Sequence, residues 1–258
     1  MSYRAALGLG LAVLCAAAAR ADDKSGCKPA TIGTGQVTAV IDGCTLRLTD
    51  GREVRLAGIE VPERDAARAA LESLVSGREI SLMRLGPETD RYGRTVALVA
   101  VQNPSGHSVQ QALLMQGYAR VSASIRDSAC AASLLGTERK ARQAGLGLWA
   151  DPYYVIRHAE DPAGVLAVRG HFAVVEGKVL SVRESGGTIY VNFGRRWSDD
   201  FTVTVLKRHE RSFTAAGLPV KHLAGQHVRV RGVIEERGGP WIEAAVASQI
   251  EIAERGHE

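Results

Sequence analysis

No CxxC pair, no HExxH segment and no Cys/His cluster occurs in this chain of 258 residues, although it holds 7 histidines and 4 cysteines. A zinc site is therefore not expected, and the scattered histidines read as surface or loop residues. Beyond the N-terminal segment no stretch approaches the roughly 20 apolar residues that a membrane-spanning helix needs. A large charge excess is missing too. The 32 basic and 28 acidic residues give a formal net charge of +4, which by itself is weak evidence for a polyanionic partner.

What is there begins with an export signal. Arg4 precedes an uncharged run from Ala5 to Ala19, and Ala19-Arg20-Ala21 supplies a small-residue cleavage site. Residues 1–21 are expected to be a signal peptide, leaving a mature chain in the periplasm or outside the cell, with no membrane attachment after cleavage. Cys15 leaves with it, since Leu14 is too large for lipoprotein processing. The mature chain keeps 30 basic and 28 acidic residues. Three cysteines remain, Cys27, Cys44 and Cys130, and an oxidising compartment favours one disulfide and one leftover thiol.

The stretch Gly35–Glu63 organises the rest. Val37, Ala39 and Ile41 alternate with polar residues, Asp42-Gly43 breaks the run, Leu46 and Leu48 resume it, and Asp50-Gly51 signals a hairpin before Val54 and Leu56. A short antiparallel meander follows, with Asp42, Arg55, Glu60 and Glu63 at its turns and strand ends. Helical spacing and a glycine stop predict helices over Asp65–Ser76, Val109–Gln116 and Cys130–Ala144, with strands near Ile80–Leu85 and Thr95–Val101. Such pieces suit a five-stranded barrel with packed helices, the OB type.

Three segments, Asp42-Gly43-Cys44-Thr45, Arg55 to Glu63, and Asp90-Arg91-Tyr92-Gly93-Arg94, stand in one order, and GLGLW closes at Trp149. Together they resemble the thermonuclease (staphylococcal nuclease-like) family from about Gly35 to Trp149. The resemblance implies metal-assisted hydrolysis of DNA or RNA, with Glu63 as general base, Arg55 and Arg94 as phosphate clamps, and Arg91 and Tyr92 against substrate. It also implies calcium, held through Asp42, Glu60 and the position of Cys44. Glu60 stands where the family has aspartate, and Cys44 stands where it has a carboxylate ligand. A soft thiol is a poor donor to a hard cation, so calcium affinity is expected to be much weakened. The loop after Glu63 is shorter than the family's, and 122–127 lacks the tyrosines with which the family stacks a base. The family fold further implies a Cys27–Cys130 disulfide with Cys44 free.

The mature chain divides on this reading into an N-terminal flank (22–34), a thermonuclease-like OB domain (35–152), a linker (153–164) marked by charges and prolines, and a second OB-like domain (165–254). In the last, Phe172–Val182 reads as one long strand, Gly186-Gly187 as a hairpin, Arg208–Ala216 as a helix, and Val228–Ile234 and Ile242–Ile252 as the closing strands. The expected class is mainly β with α (α+β), two OB-like barrels in tandem. Arg195, Arg196 and Trp197 form a basic-aromatic cluster, extended by Arg229, Arg231 and Arg237, suited to tracking phosphates and stacking a base. Against the enzyme stands a non-catalytic module that uses the arginines for nucleic acid or a protein partner, whose identity the sequence does not name.

Overall fold

The computed structural model describes residues 26–101, 106–196 and 198–253. The expected signal peptide and Trp197 lie outside them. The first unit runs β1 (Thr31–Asp42), β2 (Thr45–Leu48), β3 (Glu53–Leu56), β4 (Ile59–Glu60), α1 (Asp65–Val75), β5 (Glu79–Met83), β6 (Thr95–Val101), α2 (Val109–Met115), β7 (Arg120–Val121) and α3 (Ser128–Gln143). Its strands close a barrel in the order β1-β2-β3-β6-β5. Closure falls to β1, which is long enough to serve two neighbours: Thr31–Gln36 pairs with β5, and Val37–Asp42 pairs with β2 through bulges that bend the strand. The parallel β3–β6 pairing completes an OB-type Greek key.

Each helix caps the barrel for a reason visible in its residues. Ala67, Leu71 and Val75 give α1 one buried stripe, and a Ser108–Gln111 capping box starts α2. Gln110, fully buried on α2, accepts from Val99 N and donates to Ala57 and Ala97 carbonyls, so the helix is pinned to the barrel strands. The Asp127 side chain caps α3, and a Cys27–Cys130 disulfide ties the start of that helix to the segment before β1.

The second unit comprises β8 (Arg157–His158), α4 (Pro162–Leu166), β9 (Phe172–Lys178), β10 (Ser181–Ser185), β11 (Thr188–Asn192), β12 (Thr202–Leu206), α5 (Glu210–Ala215), β13 (His227–Val233), β14 (Glu235–Arg237), β15 (Gly239–Glu243) and β16 (Ile250–Ile252). Two sheets, β10-β11-β12-β15-β14 and β16-β13-β9-β8, enclose its own apolar core. A parallel β12–β15 pair and an antiparallel β9–β13 pair repeat the pairing scheme of the first barrel. The molecule as a whole is mixed α+β, with strands dominant.

Two sequence expectations change here. The stretch taken as one strand over Phe172–Val182 bends at Val179, whose N–H donates to Gln226 O and whose carbonyl accepts from Gly225, so β9 and β10 join different sheets. Ile242–Ile252 is not continuous either. Gln249 turns inward, accepts from Ala245 N and Val246 N, and donates to Arg231 and Glu243 carbonyls, folding the chain between β15 and β16. The segment expected as a linker carries two short elements: β8 pairs in parallel with β9, and Asp161 caps α4.

The units are joined by a buried ionic lock. Arg231 on β13 and Glu138 on α3 are both wholly buried. Arg231 Nη1 donates to Glu138 Oε2 at 3.1 Å and to the Val121 carbonyl at 2.9 Å, and Nη2 donates to Glu138 Oε1 at 3.1 Å and to Glu251. Glu138 in turn accepts from Val121 N. Burial works against the Arg231 charge, but the carboxylates of Glu138 and Glu251 outweigh it and raise its pKa. Arg231 therefore belongs to the interface, not to the phosphate-tracking face expected from the sequence. Trp149, Ala141 and Val174 add a small apolar cluster across the same junction.

Candidate nucleic-acid cleft

The turn between β1 and β2 sets the floor of the site. Asp42 Oδ1 accepts from Cys44 N at 2.8 Å, closing an Asx turn. A side chain on Gly43 would put its Cβ 2.7 Å from Val61 Cγ1, so glycine is what lets this turn seat beneath the Val61–Glu63 segment. Asp42, Cys44, Arg55, Glu63, Arg64 and Arg68 all line a cleft of 460 Å³. Arg55, on β3, also lines a neighbouring hollow of 440 Å³ with Asp90, Arg91, Tyr92 and Arg94. Arg55 is thus the common element of the two, with the exposed Glu63 on one side and Arg94 on the other.

Electrostatics distinguishes these groups. Burial acts to raise the Asp42 carboxyl, but hydrogen bonds from Cys44 and Thr45 and the Arg55 charge prevail and hold it below the usual range. Burial pushes the Cys44 thiol up to about 11, with Arg55 opposing, so the sulfur is a neutral thiol at ordinary pH. Burial likewise raises the Glu60 carboxyl, against Arg55 and Arg120. Arg94 is paired with Asp90, its Nη2 2.7 Å from Asp90 Oδ2, which raises its own pKa. Tyr92 is 68% exposed, and Arg91 and Arg94 both stand over its ring.

The calcium that the family implies does not fit the donors present. Asp42 lines the first cleft while Glu60 lines a different one, and the position between Asp42 and Thr45 holds a protonated, buried thiol. Among the described residues no three His, Cys, Asp or Glu side chains converge on a point where an ion would sit. A hard cation wanting about six to eight oxygens finds too few here.

The structure brings Arg55, Glu63, Arg94, Arg91 and Tyr92 to one face of the first barrel. Arg195 and Arg196 are exposed on the second unit and line neither hollow. Arg229 is engaged by Glu176, and Arg237 by Glu235 and the Trp241 ring. Sequence reasoning missed Arg120, Tyr154 and Phe172, which meet between the units. Arg120 is only 6% exposed, with its guanidinium 5.1 Å from the Tyr154 ring centre and 4.9 Å from that of Phe172. The adjacent tyrosines of 153–154 are a visible signal of this cluster in the sequence.

An OB barrel that gathers two arginines and a carboxylate at its strand ends is a nuclease-like domain. The chain belongs to the staphylococcal nuclease homologue family, whose profile matches residues 53–151. It is similar to Protein ParB of Escherichia coli, with 33% identity over 135 residues covering 47% of this chain and 75% of that protein. It is also similar to the micrococcal nuclease of Shigella flexneri, with 32% identity over 135 residues covering 46% of this chain and 74% of that protein.

Proposed function

We propose that the first barrel binds the sugar-phosphate backbone of nucleic acid and hydrolyses it, with Arg55, Arg94 and Glu63 as the working groups. The observation that carries this is the position of Arg55 on both hollows, next to Glu63 in one and Arg94 in the other. A planar guanidinium donates two parallel hydrogen bonds to a phosphate and stabilises charge that grows on its oxygens. The Glu63 carboxylate takes a proton from a water attacking phosphorus, the P–O bond to the leaving ester oxygen breaks, and solvent protonates that oxygen. No step is assigned to calcium, and activity is expected to respond weakly to it.

A second reading, binding without cleavage, is favoured by the neutral thiol of Cys44 beside Asp42 and by the pairing of Arg94 with Asp90. The full chain should be incubated with single-stranded DNA, duplex DNA and RNA, with calcium or with chelator, beside Glu63→Gln and Arg55→Ala. Cleavage lost in Glu63→Gln supports hydrolysis. Binding that needs Arg55 but is never followed by cleavage selects the second reading, and absence of both overturns the cleft.

The same reading includes export to an oxidising compartment, periplasmic or extracellular, supported by the leader-like first residues and by the Cys27–Cys130 bridge. It also treats 35–152 and 165–254 as the two domain units. Intact mass of the native protein tests the export, since a chain still carrying Met1 would refute cleavage.

A further inference from the structure

The 460 Å³ cleft has a larger neighbour. Val61, Pro62, Glu63 and Arg64 line both it and a cavity of 640 Å³ that opens between the two units. Across that cavity stand Tyr153, Tyr154, His171 and Phe172, contributed by the connecting segment and by the start of β9. Tyr153 is 44% exposed, and its ring meets Tyr154 edge-on at 4.9 Å and His171 at 6.2 Å. The inner rim is polar. Glu60 and Arg120 lie there, and the buried Nε of Arg120 has no hydrogen-bond partner among the described residues.

We propose that this interdomain cavity is a nucleobase subsite for single-stranded nucleic acid whose phosphate lies at Arg55. The inference rests on the reading of the first barrel as a nucleic-acid cleft. A base offers a flat π face and a polar edge, and the cavity offers the complement of each. Open aromatic faces at Tyr153 and His171 suit stacking. The free N–H of Arg120 matches a base carbonyl or ring nitrogen, and the Glu60 carboxylate matches an amino group, so that a buried donor left over by folding gains its acceptor. The shared Val61–Arg64 wall makes the two hollows immediate neighbours, so that one strand can cross it from phosphate to base. A paired base keeps its faces and edge inside the duplex, so the occupant is a single strand.

Anisotropy of a fluorescein-labelled single strand of about a dozen nucleotides, long enough for one OB fold and carrying a phosphorothioate backbone that resists cleavage, tests this on the full chain. The single strand is expected to bind more tightly than its duplex. Tyr153→Ala and His171→Ala should each weaken it by roughly tenfold, the range of one lost stack, while Tyr153→Phe should retain native affinity. A strand of abasic sugar-phosphate should bind the native chain and Tyr153→Ala equally, which a purely structural role of the ring would not produce. If Arg55→Ala abolishes binding while both aromatic variants bind as the native chain does, the base subsite is overturned and the phosphate cleft stands. If the native chain prefers duplex, the subsite is also overturned. If the native chain binds nothing, or Arg55→Ala binds unchanged, the underlying reading falls as well.

Discussion

Cys44 shows how one side chain sets the character of the turn beneath the cleft. Its sulfur is buried, and the folded chain keeps its proton up to about pH 11, against an ordinary value of 9.0. Below the ordinary value, folded and unfolded chains both carry the proton and nothing is lost. Between the two values only the unfolded thiol ionises, so stability should fall as pH rises, by about 1.4 kcal/mol per unit. Urea unfolding at about pH 8 and about pH 10 should show that loss in the native chain, and Cys44→Val should flatten it. The same residue governs the cation. Cys44→Asp adds a hard oxygen donor beside Asp42, and calorimetry should find calcium binding on the order of tenfold tighter or more, whereas Cys44→Ser should change little. The departure at position 44 was legible in the sequence because the neighbours Asp42, Gly43 and Thr45 kept their pattern. The burial that keeps the thiol neutral was not legible, since it depends on β3 and α1 closing over the turn.

At the scale of elements, the junction between α2 and the turn at Gly147–Ala150 is the tightest backbone approach near the cleft's supports. Gly117 sits at φ 73°, and a Cβ there would lie 2.1 Å from the Leu146 carbonyl oxygen, while its own carbonyl accepts from Leu148 N. Gly117→Ala should therefore cost roughly 2–4 kcal/mol in thermal or urea unfolding, through both strain and displaced backbone. Gly77→Ala, at φ 65° but with open space around it, should cost only about 1 kcal/mol. The helices could be read from sequence because each carries a regular apolar stripe and a cap or glycine stop, as α1 and α2 do. The course of the chain through 242–252 could not be read. Its apolar residues suit a strand, and the side chain that interrupts it, Gln249, does so by folding back on the Glu243 carbonyl of the same stretch and on the Arg231 carbonyl of a separate strand. The break at Val179 has the same origin, a backbone pairing with Gly225 and Gln226 far along the chain.

For the whole molecule, the ionic lock decides how independent the halves are. Nothing in the run HVRVRGV tells Arg229 from Arg231, yet one is partly exposed beside Glu176 and the other is sealed against Glu138. Arg231→Ala removes the cation that the buried Glu138 and Glu251 share, leaving Glu138 with Arg142 alone, and should cost about 3–5 kcal/mol. Arg231→Met combined with Glu138→Leu should recover only part of it, since apolar residues of similar volume remove that pair but leave Glu251 and Arg142 without these partners. Chemical denaturation of the native chain and the two variants checks the order. The lock also reaches the cleft. Arg231 holds the Val121 carbonyl, Val121 pairs with Ile59, and Ile59 precedes the Glu60–Glu63 segment, so the second unit helps fix the wall on which Glu63 stands.

The Cys27–Cys130 bond has a mechanical consequence. Pulled from its two ends, the molecule passes tension directly across that bond, and the barrel strands within its sequence separation of 103 residues are bypassed. At about 3.4 Å per residue this hides roughly 350 Å of contour. In an optical trap the oxidised chain should extend short by about that length, and a reductant should release it as one added increment once the barrel yields.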